Sequence, residues 1–151
     1  MRNLQVQGIC LLFIFISVHS WAQHTVPINE PDLNKPRLFA NLPDKIPVDV
    51  NSLLSLVNSD MGRNVSLKLD QAIFTGQVIS KADDHLIRSV TIRSGNFNGA
   101  TLTLSSSVLS NGAVKYTGRI ISFQHGDVYE LQNQNDQYIL TKKNFYDLIN
   151  E

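Results

Sequence analysis

Phe74-Thr75-Gly76-Gln77-Val78-Ile79-Ser80 reads as a β-strand. Forty-two residues later the chain repeats nearly the same strand as Tyr116-Thr117-Gly118-Arg119-Ile120-Ile121-Ser122. In both runs an aromatic, a glycine and a branched aliphatic residue alternate with Thr and Gln or Arg. That period of two places one face of a strand in a core. Aromatic and β-branched residues also favour the pleated geometry. A glycine inside such a strand marks curvature, a bulge or a close backbone approach, so Gly76 and Gly118 are read as structural.

The same period extends outward from the matched pair. Val65, Leu67 and Leu69 alternate with Ser66, Lys68 and Asp70. Further strand-like runs occupy 72–80, 86–93, 99–105, 114–123, 127–132 and 137–142. The breaks are turn-forming: Ala82-Asp83-Asp84, Gly95 to Gly99, Asn111-Gly112, His125-Gly126-Asp127 and Asn133 to Asp136. The match predicts two similar β-meander units, about 72–105 and 114–143, related by a pseudo-twofold. Two units are too few for a solenoid, and they predict one curved antiparallel sheet or a small barrel. The strand aromatics Phe74, Tyr116, Phe123, Tyr129 and Tyr138 are expected in its core.

Before the strands the period changes. Val50, Leu53, Leu54 and Val57 fall at helical spacing, with Asp49 as N-cap and Gly62 as the stop. Asn144 to Asn150 predicts a short closing helix with Phe145, Leu148 and Ile149 inward. All five prolines lie between residues 23 and 47. They deny backbone donors and predict an extended arm, which Leu38, Phe39 and Leu42 would pin to the domain.

At the start of the chain Arg2 precedes an apolar run from Ile9 to Val18, and Ser20-Trp21-Ala22 then supplies small residues ahead of Gln23. This is the layout of a secretory signal peptide cut between Ala22 and Gln23. The run is well short of the roughly 20 apolar residues a membrane span needs. The expected organisation is therefore a signal peptide (1–22), a proline-rich arm (23–47) and one α+β domain (48–151). In that domain an N-terminal helix packs on the mostly antiparallel sheet. Cleavage removes Cys10 and Trp21, the only cysteine and the only tryptophan. The mature chain of 129 residues is then free of thiols and long enough to be stabilised by its core alone.

Composition narrows the function classes. Thirteen basic residues balance 13 acidic ones, and Lys142-Lys143 is the only adjacent basic pair. Nucleic-acid binding calls for a basic excess, and none is expected here. No integral membrane segment is expected in the mature chain. Serines abound at Ser105-Ser106-Ser107, but no Gly-x-Ser-x-Gly elbow surrounds any of them, so no catalytic residue is assigned. Neither a cofactor nor a metal is assigned. Asp83, His85, His125 and Asp127 hold equivalent places in the two matched runs and carry imidazole and carboxylate, the donors that suit a divalent ion. They would hold one only if folding brought the two turns together. Asp is also common in turns for its own backbone bonding.

The Ala22/Gln23 junction, the thiol-free mature domain and the Asn/Lys/Ile-rich style resemble small exported proteins of Bacteroidota-type bacteria, which implies export to periplasm, cell surface or medium. Phe74-Thr75-Gly76-Gln77-Val78 is also similar to the aromatic-x-Gly-x-Val strands of inhibitory pro-domains of secreted metalloproteases. No His-Glu-x-x-His follows in this chain. The expected role is an exported, non-enzymatic binding or interaction module, its partner another envelope or extracellular protein. The alternatives are a freestanding protease-inhibitor-like protein and a small metal-dependent hydrolase.

Overall fold

A computed structural model describes residues 34–145. The signal peptide with its Ala22/Gln23 junction, the arm before residue 34 and the predicted closing helix beyond Phe145 lie outside the described residues. Asn144 still belongs to the last strand.

Eight strands form a single antiparallel sheet. They are β1 (Lys45–Val48), β2 (Asn64–Leu69), β3 (Ala72–Asp83), β4 (Ile87–Ser94), β5 (Ala100–Val108), β6 (Val114–Ser122), β7 (Asp127–Gln134) and β8 (Gln137–Asn144). From β2 to β8 the chain meanders, each strand pairing with the next, and β1 returns to the far edge against β8. The sheet curls into a half-barrel whose two edges, β1 and β2, stay unpaired with each other. Pro47 contributes to that open seam. Lys142 N–H donates to Asp44 C=O at 2.8 Å, so in the β1–β8 register the alternate positions Lys45 and Pro47 turn their backbone polar groups away from β8. At Pro47 there is no N–H to offer.

Among the described residues one α-helix, α1 (Val50–Val57), links β1 to β2 and packs on β4 and β5. Asp49 caps it, its carboxylate accepting the Ser52 N–H at 3.0 Å. The helix is therefore not the first element: β1 precedes it, with all but Val48 of that strand assigned by sequence to the proline arm. Its buried face is Leu53, Leu56 and Val57, while Val50 and Leu54 are exposed. The expected stripe thus rotates by about one position, and Gly62 lies in the loop beyond the C-cap Asn58.

The core fills the concave face. Phe74 and Val78, Val90 and Ile92, Leu102 and Leu104, Tyr116 and Ile120, Tyr129 and Leu131, Tyr138 and Leu140 all point inward. Inward side chains of this size contribute about 1.5–3 kcal/mol each when fully buried. Phe123 is the exception among the predicted aromatics: it sits in a 3-10 turn (Phe123–His125) and is exposed. Above Gly118–Leu131 the β6–β7 ladder ends. The Tyr138 hydroxyl reaches across from β8 and accepts the Tyr116 N–H at 3.0 Å, supplying the partner that β7 no longer provides. Burial, then the neighbouring Tyr138, raises the Tyr116 pKa.

Gly76 and Gly118 both face the interior and share one geometry. A Cβ at Gly76 would lie 2.4 Å from Arg93 O, and one at Gly118 would lie 2.6 Å from Thr103 O. In each case that carbonyl precedes the glycine's cross-strand partner, Ser94 or Leu104. The crowded neighbour is the following strand, β4, for Gly76 and the preceding strand, β5, for Gly118. β3 and β6 run in opposite directions within the meander. Laying β3 on β6 with the same face inward therefore places β4 on β5, not on β7.

Candidate interaction surface

Residues 34–44 do not stand away from the sheet. They form a strap across its lower end, the end at which β6 turns into β7. Phe39 is fully buried, its ring centroid 5.4 Å from those of Phe97 and Tyr129. Leu38 and Leu42 pack beside it. The sheet holds the strap chiefly through its backbone. Leu38 N–H donates to Asp127 Oδ2 at 2.6 Å, Tyr129 Oη donates to Pro43 O at 2.5 Å, and Lys142 Nζ donates to Leu42 O at 2.7 Å. His125 Nδ1 lies 2.8 Å from Pro36 O, and Arg37 reaches Gly126 O at 3.3 Å. Burial pushes the Tyr129 phenol up to about 12, with the carboxylates of Asp44 and Asp127 adding to the rise.

These contacts give Asp127 a partner other than the turn backbone expected from sequence. Asp127 is only 3% exposed and serves the strap. The other turn is ordinary surface: Asp84 accepts the His85 N–H at 2.7 Å, and Asp83 pairs with Arg88 at 3.1 Å in the open. Since β3 and β6 are antiparallel, the turns that follow them lie at opposite ends of the sheet. Asp83 and His85 are thereby separated from His125 and Asp127 by the length of the strands. No cluster of three or more potential ligands occurs among the described residues. Ser122, His125 and Asp127 do share one turn, but Ser122 is fully buried. His125 Nδ1 and Asp127 Oδ2 are already engaged with strap backbone.

The upper end is different. There the tips of the β3–β4 and β5–β6 hairpins sit side by side, joined by a hydrogen bond from Val108 N–H to Leu86 O at 2.9 Å. Leu86 is 62% exposed, Ile87 55% and Val114 49%, with Val108 and Leu109 also exposed. Val108 and Val114 are cross-strand partners in phase with the inward Leu104 and Tyr116. Ile87, opposite Ser107 and out of phase with the inward Val90 and Ile92, turns to the outer side. The five exposed aliphatics therefore straddle an apolar rim at this end of the sheet. The C-terminal end of α1 meets the same end of the sheet, where Arg88 donates to Asn58 Oδ1 at 3.2 Å. Scattered exposed aliphatics are normal, but their concentration on one pair of hairpin tips is a feature of interaction sites.

Both ends of the described chain are at the opposite, lower end. Lys35 contacts Gln124 and Phe145 packs edge-on against Phe123, ring centroids 5.8 Å apart. On the outer face two open grooves run over the glycine bends. One of about 720 Å³ includes Asn64, Ser66, Gln77 and Arg93, and one of about 350 Å³ includes Thr103, Thr117, Arg119 and Glu130. Beside these polar groups the first groove is lined by Val65 and Ile79 and the second by Val128 and Leu131.

Sequence reasoning placed Leu38, Phe39 and Leu42 against the domain, where they pack, but missed the rim and the strap's polar partners, for different reasons. Leu86-Ile87 and Val108-Leu109 border turn residues and read as strand ends. Asp127 and Leu38 are separated by 89 residues, and no local pattern joins them. No protein-family model matches the chain, and no curated protein or solved structure matches it. Among the described residues no helix is long and apolar enough to cross a membrane.

Proposed function

We propose that this chain is an exported, non-enzymatic interaction module whose working surface is the apolar upper rim. The observation that carries the reading is that Leu86, Ile87, Val108, Leu109 and Val114 are all exposed on two hydrogen-bonded hairpin tips. The concave face is occupied by its own core, with Phe39 and α1 packed into it. The rim also lies at the end of the sheet opposite residues 34 and 145, the first and last described. Its partner is an envelope or extracellular protein with a complementary apolar surface. The export reading rests on the n-region, the apolar run and Ala22.

We further infer that the Phe74–Ser80 and Tyr116–Ser122 match reflects one solution to bending a sheet rather than a duplicated meander. The two glycines press on the neighbour at the same geometric side, and that neighbour is next in the chain for one and previous for the other.

Leu86→Ser combined with Val108→Ser tests the functional reading, because both positions are exposed and the pair should melt close to wild type. Wild-type chain immobilised and challenged with native envelope extract should retain a defined partner, and the double variant should lose it. Retention of the same partner by both chains contradicts the rim as the working surface.

A further inference from the structure

The triplet Asn-Gly-Ala occurs twice, as Asn98-Gly99-Ala100 where β4 turns into β5 and as Asn111-Gly112-Ala113 at the β5–β6 tip. Such a triplet is chemically labile. The glycine nitrogen attacks the asparagine side-chain carbonyl carbon, a C–N bond forms, and the side-chain nitrogen leaves as ammonia. Water then opens the resulting succinimide at either carbonyl, giving aspartate or isoaspartate. Glycine permits the attack because no Cβ shields its nitrogen. Both pairs are exposed, and both glycines hold a positive φ, 73° at Gly99 and 81° at Gly112. The triplet, its exposure and its glycine conformation are therefore matched at the two places. Hydrogen bonding is what differs.

At the β5–β6 tip the reacting groups are held. The attacking nitrogen must give up its proton, and Gly112 N–H donates that proton to Leu109 O at 2.9 Å. The side-chain carbonyl is engaged as well: Asn111 Oδ1 accepts the Ala113 N–H at 3.0 Å. Leu109 N–H donates to Ala113 O at 2.8 Å and closes the loop around both. In the β4–β5 turn the corresponding donor is spent elsewhere, because Ala100 N–H goes to Phe97 O at 3.0 Å. Among the described residues neither the Asn98 side chain nor the Gly99 N–H has a hydrogen-bond partner. Ring closure at Asn111 takes the proton that Leu109 holds and swings the amide that Ala113 holds. Losing two ordinary hydrogen bonds on the way to the transition state amounts to roughly tenfold in rate.

We propose that Asn98 is a site of spontaneous deamidation in the folded protein, while the same triplet at Asn111 is protected. The site lies at the lower end of the sheet and does not depend on the role assigned to the rim. The change has a structural target. Isoaspartate inserts one extra carbon into the main chain, inside the turn that the bond from Ala100 to Phe97 closes. Phe97 is the ring that flanks Phe39 of the strap, centroids 5.4 Å apart, so the product loosens the strap.

The test ages the full mature chain in mildly alkaline buffer, once folded and once in urea. Trypsin, cutting after Arg93 and Lys115, releases one peptide, Ser94–Lys115, that carries both triplets. Fragment-ion mass spectrometry assigns the amide-to-acid change to either asparagine, and isoaspartyl methyltransferase labelling identifies the isoaspartate. The folded chain should convert Asn98 roughly tenfold faster than Asn111, and urea should bring the two rates together. Equal rates in the folded chain, a faster Asn111, or a tenfold ratio that survives in urea overturns the proposal. So does a folded Asn98 that stays intact while the urea sample converts. Isoaspartyl protein separated by anion exchange should exchange the amide hydrogens of strap residues 37–42 faster than fresh protein. Asn98→Asp, which carries the charge without the extra carbon, should exchange like wild type. Equal exchange by all three overturns the link to the strap.

Discussion

Replacing Gly76 by alanine places a methyl carbon 2.4 Å from Arg93 O and 2.8 Å from Ile92 Cγ2. Ordinary contact needs about 3.4 Å, so β3 and β4 must part by about 1 Å at this point. The obstruction cannot rotate aside, because its closest atom is backbone carbonyl in a paired strand. The bulge between Val78 and Ser80 lies next to it, so a shift there also disturbs the inward placement of Val78. Overpacking of this kind costs about 1–3 kcal/mol, and a backbone obstruction puts Gly76→Ala near the upper end. Gly118→Ala meets Thr103 O at 2.6 Å and should cost somewhat less, about 2 kcal/mol. Gly95→Ala is the control, with nothing nearer than 3.8 Å, and should stay within about 0.5 kcal/mol of wild type. Urea unfolding of the three variants, followed by circular dichroism with a common slope, ranks them directly. A Gly76→Ala midpoint equal to wild type, or to that of Gly95→Ala, would refute the close-approach reasoning.

The two histidine turns should separate cleanly. His85→Ala, at an exposed turn, should leave stability within about 0.5 kcal/mol of wild type, whereas His125→Ala removes the contact with Pro36 O and should cost about 1 kcal/mol; thermal melts of both single variants check this. Alkaline titration should destabilise the protein through Tyr129. A phenol raised from its ordinary 10 to about 12 in the folded state keeps its contribution below pH 10 and loses it as pH rises through about 12, since the unfolded chain releases the proton first. Denaturation midpoints measured across that window should fall, and Tyr129→Phe should flatten the fall.

Much of the sheet was legible because period-two patterning is local. Val65-Leu67-Leu69 and the later runs fall on β2 to β8 within a few residues at each end. β1 was not legible: Lys45-Ile46-Pro47-Val48 is short, carries a proline and reads as arm. It is a strand because β8 offers Ile46 and Val48 a buried edge. The helix was placed correctly and Leu53 and Val57 of its expected stripe are buried, while Leu56 takes the place of Val50 and Leu54. Gly76 and Gly118 were readable as bend positions, yet their shared sequence pointed to tandem units. Chain direction, which decides which neighbour each glycine crowds, is a property of the meander and not of the seven residues. For the candidate surfaces the limit was distance along the chain. Asp127 looked like a turn carboxylate because its partner, the amide of Leu38, is 89 residues away, in an arm whose apolar residues read as packed but whose backbone contacts leave no sequence pattern. The rim escaped notice because exposure of an aliphatic strand end depends on how far each hairpin projects past α1.

The claim that the upper rim is the surface this protein works with is tested most directly by site-specific photo-crosslinking in the native host. A photoreactive residue at Ile87, on the rim, should give a discrete higher-mass adduct in the envelope fraction, and the same residue at Thr103, on the outer face, should give none. Adducts of equal intensity from both positions, or an adduct from Thr103 alone, would contradict the account.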